Sequence, residues 1–145
     1  MKHFILIASI SRRSVLASGG GTADRTIRIW NTAIGTNLKT VDTGSQVCSI
    51  QWNCHQKELV SSHGFSDNQL ILWKYPTMTK VQEFTGHTSR VLHLAKSPSG
   101  GTICSASADE TLRFWDIFEN PHIKNKRSND FDNNNNFLSS GMMLR

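Results

Sequence analysis

Apolar and polar positions along the chain alternate over short distances. Ile27-Arg28-Ile29 and Leu112-Arg113-Phe114 alternate strictly, as strands with unlike faces do. Leu70-Ile71-Leu72 is continuously apolar, as a strand covered on both sides is. The pattern predicts strands at residues 4–10, 16–20, 26–30 and 37–41, then 47–52, 58–62, 69–73 and 80–84. A last group falls at 90–95, 102–106 and 111–115, and there the pattern stops. Pro76 and Pro98 lie between strands, where a missing N–H costs nothing.

Three of these strands end alike. Asp24 to Trp30, Asp67 to Trp73 and Asp109 to Trp115 each read Asp, five residues, Trp, and the tryptophans recur 43 and 42 residues apart. A period near forty with strand content in every unit indicates a β-propeller. The third unit is the most complete, running from Gly86-His87 to Trp115-Asp116, which is the wording of a WD repeat. The expected fold is therefore all-β: a WD-repeat propeller of about three blades (1–42, 43–85 and 86–118) with a flexible tail at 119–145. Three blades do not close a ring, and the third is expected to lack its outer strand, so the chain reads as the C-terminal piece of a larger propeller.

The tail reading rests on composition. Asn120-Pro121 ends the regular pattern, Lys124-Asn125-Lys126-Arg127 is basic, and Asn133 to Asn136 is an asparagine run. Such a stretch cannot bury enough apolar area to offset ordering. Met142-Met143-Leu144-Arg145 turns apolar again, which a purely solvated tail does not need. The net charge of +5 comes from scattered basic residues, so nucleic acid is not an expected partner. No stretch reaches the length of a membrane span. The apolar run after Met1-Lys2-His3 is only seven residues, and a buried strand explains it better than a secretion signal. Three cysteines without CxxC spacing suggest neither disulfides nor zinc, and fit a reducing compartment.

Candidate chemistry is mostly architectural. His87, Asp109, Trp115 and a strand serine (Ser105, or else Ser107) can form a buried network in which the donor-only indole N–H meets the hydroxyl. The same residue types make a catalytic triad, but their spacing is that of a blade and no nucleophile elbow accompanies them. No catalytic residue, metal ligand or cofactor is expected. The second unit has Thr43-Gly44-Ser45 where Gly-His would stand, so its network is expected to be incomplete. Gly19-Gly20-Gly21 lacks the spacing of a phosphate loop and reads as a strand-to-strand turn. Cys54-His55 has no supporting third group. Gln46 and Arg90 each open an innermost strand, one blade apart, and could share an axial mouth; Glu110 follows Asp109 in a turn and is free for a basic partner.

Several stretches carry a family resemblance. Gly19 to Arg25, Asp42-Thr43-Gly44-Ser45-Gln46-Val47-Cys48, Asn68-Gln69-Leu70, Trp73-Lys74-Tyr75-Pro76, Gly86 to Leu92 and Asp109 to Trp115 resemble the Fizzy and Fizzy-related activators of the anaphase-promoting complex, with wording closer to the Fizzy-related branch. The resemblance runs from about Val15 to Asn120. It implies a non-catalytic, degron-binding adaptor of a ubiquitin ligase, working in the nucleus and cytoplasm with ligase subunits and substrate proteins as partners. It further implies that Gln46 and Arg90 contact a Lys-Glu-Asn degron, with Arg90 on its glutamate, and that Glu110 contacts the arginine of a destruction box. Leu144-Arg145 resembles the Ile-Arg end with which the family docks on its ligase. The family's docking box and first blades, and with them the other half of both degron sites, have no counterpart in this sequence. A general WD-repeat scaffold, or a non-functional fragment of an activator, are the competing readings.

Overall fold

The computed structural model describes residues 4–10, 14–53, 55–118 and 142–144, the first and last of these as backbone strands only. The described residues form twelve strands. They are β1 (Phe4–Ile10), β2 (Val15–Gly20), β3 (Thr26–Asn31), β4 (Thr36–Asp42), β5 (Val47–Trp52), β6 (Glu58–His63), β7 (Leu70–Lys74), β8 (Thr79–Phe84), β9 (Val91–Lys96), β10 (Thr102–Ser107), β11 (Leu112–Asp116) and β12 (Met142–Leu144). Three antiparallel four-stranded sheets result, in the orders β1-β2-β3-β4, β5-β6-β7-β8 and β9-β10-β11-β12. These are the blades. β5 packs beside β1 on one side and β9 on the other, so the first strand of each blade is the innermost.

Blade two shows why the apolar pattern differs between blades. Ile71 and Trp73 of β7 turn toward blade one, joining Val15, Ala17, Ile27, Ile29, Ile50 and Leu59 in one core. Leu70 and Leu72 turn the other way and meet Val91, Leu94, Ile103 and Trp115 of blade three. Successive side chains of a strand alternate faces, so a strand between two neighbours must be apolar throughout. The continuous run Leu70-Ile71-Leu72 has this cause. Polar ties also cross the junction between blades two and three: Gln51 Nε2 donates to Leu94 O at 3.3 Å, Lys96 Nζ to Trp52 O at 3.0 Å, and Ser62 Oγ to Val91 O at 3.0 Å.

Two expectations need correction. The third blade does have an outer strand: β12 pairs with β11, with Leu112 opposite Leu144 and Phe114 opposite Met142. It satisfies backbone groups along an edge that β11 would otherwise leave bare. Residues 142–144 are therefore strand and not tail, while 119–141 and Arg145 lie outside the described residues. The glycine triplet is not wholly a turn either, since Gly19 and Gly20 lie within β2. A Cβ on Gly19 would sit 2.6 Å from Val47 Cγ1 of the next blade, and one on Gly20 would sit 2.6 Å from Asp24 Oδ2. Those two glycines are required by space, and only Gly21 accepts the turn bonds from Asp24 and Arg25.

The core assignment gives a direct test. Ile71→Ala, emptying a site between two blades, is expected to cost about 2–5 kcal/mol in urea unfolding. Leu38→Ala on the outer strand β4, where the side chain is 51% exposed, should stay within about 0.5 kcal/mol. Equal losses would contradict the assignment.

Candidate functional site

Each blade is pinned by the same bond. Trp30 Nε1 donates to Ser18 Oγ, Trp73 Nε1 to Ser61 Oγ and Trp115 Nε1 to Ser105 Oγ, each at 2.8 Å. The register accounts for it. Each tryptophan lies opposite an aliphatic residue of the neighbouring strand (Leu16, Leu59 or Ile103), and the serine two residues further on shares that face.

In blade three the chain of bonds continues as the sequence predicts, through Ser105 rather than Ser107. Ser105 Oγ lies 2.7 Å from His87 Nε2, and His87 Nδ1 lies 2.8 Å from Asp109 Oδ2. With the indole donating to the serine, the hydroxyl donates to Nε2 and the Nδ1–H is left for the carboxylate. Asp109 also accepts from the Thr88 amide at 2.9 Å and from the Thr111 amide and hydroxyl at 3.0 and 2.6 Å. Desolvation by itself would raise this carboxyl. The donors from Thr111, Thr88 and His87 outweigh it and hold Asp109 well below the usual carboxylate range. Ser105 is fully buried with its oxygen engaged by the indole, so the triad look-alike has no exposed nucleophile. Ser107 instead donates to Ser89 O.

Blade two overturns the expectation of an incomplete network. His63, at the end of β6, lies 2.7 Å from Ser61 Oγ through Nε2 and 3.1 Å from Ser45 Oγ through Nδ1. A histidine from the strand replaces the one that Gly-His supplies elsewhere. Burial lowers its pKa to about 4, against partial compensation from bonds at Ser45 and Gln46 and from the charge of Glu83. It is thus neutral in the fold. The equal Asp-x5-Trp spacing also hides three different roles. Asp24 pairs with Arg28 at 3.0 Å, Asp67 is exposed in the β6–β7 turn, and Asp109 alone of the three holds a histidine.

The residues not needed for architecture gather at one end of the blades. Gln46 precedes β5, Arg90 precedes β9, and Glu110 lies in the β10–β11 turn. Gln46 and Arg90 meet across Gly64, a residue the sequence reading did not single out. Gln46 O accepts the Gly64 amide at 3.1 Å. A Cβ on Gly64 would lie 3.3 Å from Arg90 Cγ and 3.8 Å from Gln46 Cβ, so glycine leaves the two side chains just enough room. Thr22 Oγ1 donates to Gln46 Oε1 at 3.2 Å, which orients the amide. The Arg90 charge reaches Cys48 as well, opposing the burial that raises that thiol. Beneath Arg90 lies the ring of Phe65, also unforeseen, with the guanidinium carbon 5.0 Å from its centroid. Glu110 is exposed in a left-handed turn with φ of 64°, and no described contact joins it to this cluster. Leu144 lies in β12 opposite Leu112, and Arg145 is outside the described residues. Among the described residues, no group of three His, Cys, Asp or Glu side chains comes together as metal ligands.

The networks make two predictions. An unfolded histidine protonates near 6.5 and folded His63 near 4, so its contribution is complete above pH 6.5, falls as the pH drops to 4, and is gone below. The loss should reach about 3 kcal/mol in urea titrations and should be absent from that window in His63→Gln. Asp109→Ala, which orphans the His87 and Thr88 donors, is expected to cost about 1–3 kcal/mol. Asp67→Ala should stay within about 0.5 kcal/mol, and a cost equal to that of Asp109→Ala would refute the division of roles.

The family described as WD domain, G-beta repeat matches residues 7–31 and 78–116. The chain is 58% identical over 135 residues to anaphase-promoting complex subunit cdc20 of Dictyostelium discoideum, covering 91% of this chain and 26% of that protein. It is 58% identical over 114 residues to protein FIZZY-RELATED 2 of Arabidopsis thaliana, covering 79% of this chain and 24% of that protein. A chain in a crystal structure of a mitotic checkpoint complex superposes with a TM-score of 0.76 at 42% identity, over 80% of this chain and 38% of that one. Repeats, blades and identity agree: the homologues of this chain are Cdc20 and Fizzy-related proteins, and it spans about a quarter of the length of the curated relatives it matches.

Proposed function

We propose that the chain is part of a substrate-recognition adaptor of the anaphase-promoting complex, and that its blade ends hold degron peptides for ubiquitin-dependent proteolysis in the cell cycle. The observation that carries this reading is the meeting of Gln46 and Arg90 across Gly64. A guanidinium can grip a carboxylate through two parallel N–H donors, and an amide beside it supplies both a donor and an acceptor. A peptide that places a glutamate next to an amide side chain, as Lys-Glu-Asn does, has the matching groups. Glu110, exposed in its turn, is suited to the arginine of a destruction box, and Leu144-Arg145 to docking on a ligase subunit. Nothing in this role needs a nucleophile, a cofactor or a metal, and it is exercised in the nucleus and cytoplasm.

A general WD-repeat scaffold is the second reading. Leu38 and Val81 favour it, since they are exposed at equivalent positions of the outer strands β4 and β8, one repeat apart.

The two readings part in a peptide titration. By fluorescence anisotropy, the chain should bind a labelled Lys-Glu-Asn peptide, and Arg90→Gln should weaken it about ten- to hundredfold, as loss of a charged hydrogen bond does. Glu110→Gln should leave that peptide unaffected and weaken a destruction-box peptide. Failure of the unaltered chain to bind either peptide would favour the scaffold.

A further inference from the structure

Phe65 is an anomaly for a packed fold. It is 63% exposed, in the turn between β6 and β7, on a blade whose other aromatic side chains are engaged: Trp52 edge-on to Tyr75, and Trp73 with Ser61. It contributes nothing to either core. What it does touch is Arg90, whose guanidinium carbon stands 5.0 Å over the ring. The preceding residue is Gly64, where even a methyl group would crowd the Arg90 stem at 3.3 Å. A glycine that admits the stem and an aromatic that underlies the head, side by side in one turn, together constrain a single exposed arginine.

We propose that Phe65 is a positioning residue for Arg90: it holds the guanidinium flat in the axial mouth so that the N–H edge is presented to an acidic side chain of a bound peptide. This rests on the degron reading above and names how its charged contact is prepared. The chemistry is consistent, because stacking uses the face of the guanidinium while a carboxylate takes the edge. Both can operate at once. An arginine free in solvent loses rotamer freedom on binding, and one already laid on a ring has lost part of it beforehand. Gln46, tied to the Gly64 amide through its carbonyl and to Thr22 through its side chain, is held beside it. The mouth is thus set by the β6–β7 turn as much as by the residues that touch the peptide.

Two measurements test this on the chain as it exists, one without any peptide. In NMR spectra, the Arg90 Hδ protons should be shifted upfield by the ring current and should return to ordinary values in Phe65→Leu. Unshifted protons in the unaltered chain would overturn the proposal whatever peptides do. In anisotropy titrations, Phe65→Leu should weaken a Lys-Glu-Asn peptide about two- to fivefold, and leave a Lys-Gln-Asn peptide unchanged. Phe65→Trp should restore the difference between the two peptides. Equal weakening of both would make Phe65 a direct apolar contact and refute positioning. Absence of any binding with the Arg90 protons still shifted would defeat the degron reading while upholding the stacked pair.

Discussion

The indole N–H is a donor with no acceptor to offer, and burying it without a partner is costly. Every blade described here meets that constraint in the same way, with a serine hydroxyl at 2.8 Å on the adjacent strand. The hydroxyl then needs an acceptor for its own proton, and in blades two and three a histidine supplies one. That histidine carries a second ring nitrogen, which must also be satisfied, by Ser45 in one blade and by Asp109 in the other. One buried tryptophan therefore dictates residues on three further segments in blade three and on two in blade two. β-strand alternation places the serines and His63, the connections between strands place His87, Ser45 and Asp109, and the blade junctions close over them.

Much of this was legible in the chain because two periods coincide in it. Alternation located eleven strands, and the recurrence of tryptophan grouped them into blades. The strand that escaped, β12, has three residues and follows a long polar stretch, so no alternation could announce it. Its only trace was the return of apolar residues at Met142. The network of blade two escaped for a different reason. The sequence reading expected the histidine where Gly-His puts it, before the first strand, whereas His63 sits two residues past Ser61. Residues two apart on a strand share a face, so the signal was present in Ser61-Ser62-His63 and in its relation to Trp73.

The candidate site divides along the same line. Gln46 and Arg90 could be marked because each opens an innermost strand, and the repeat places equivalent openings side by side. What joins them could not be marked. Gly64 and Phe65 lie in a turn, where no periodicity operates and where a glycine's purpose depends on which side chains approach it in space. Equal spacing also misled in one respect, since Asp24, Asp67 and Asp109 look interchangeable in the sequence and have different partners in the fold.

The two faces of each blade are not alike, and this gives the assembly a direction. Trp73 and Ser61 look back toward blade one, while Leu70 and Leu72 look on toward blade three. Trp115 and Ser105 of blade three look back in their turn. Each junction therefore joins unlike halves, a hydrogen-bonded tryptophan face against an aliphatic one. A blade turned around would set tryptophan against tryptophan on one side and leave aliphatic against aliphatic on the other. Blade order along the arc is thus vectorial: it is written into every junction separately, and each blade carries the instruction for which neighbour comes before it and which comes after.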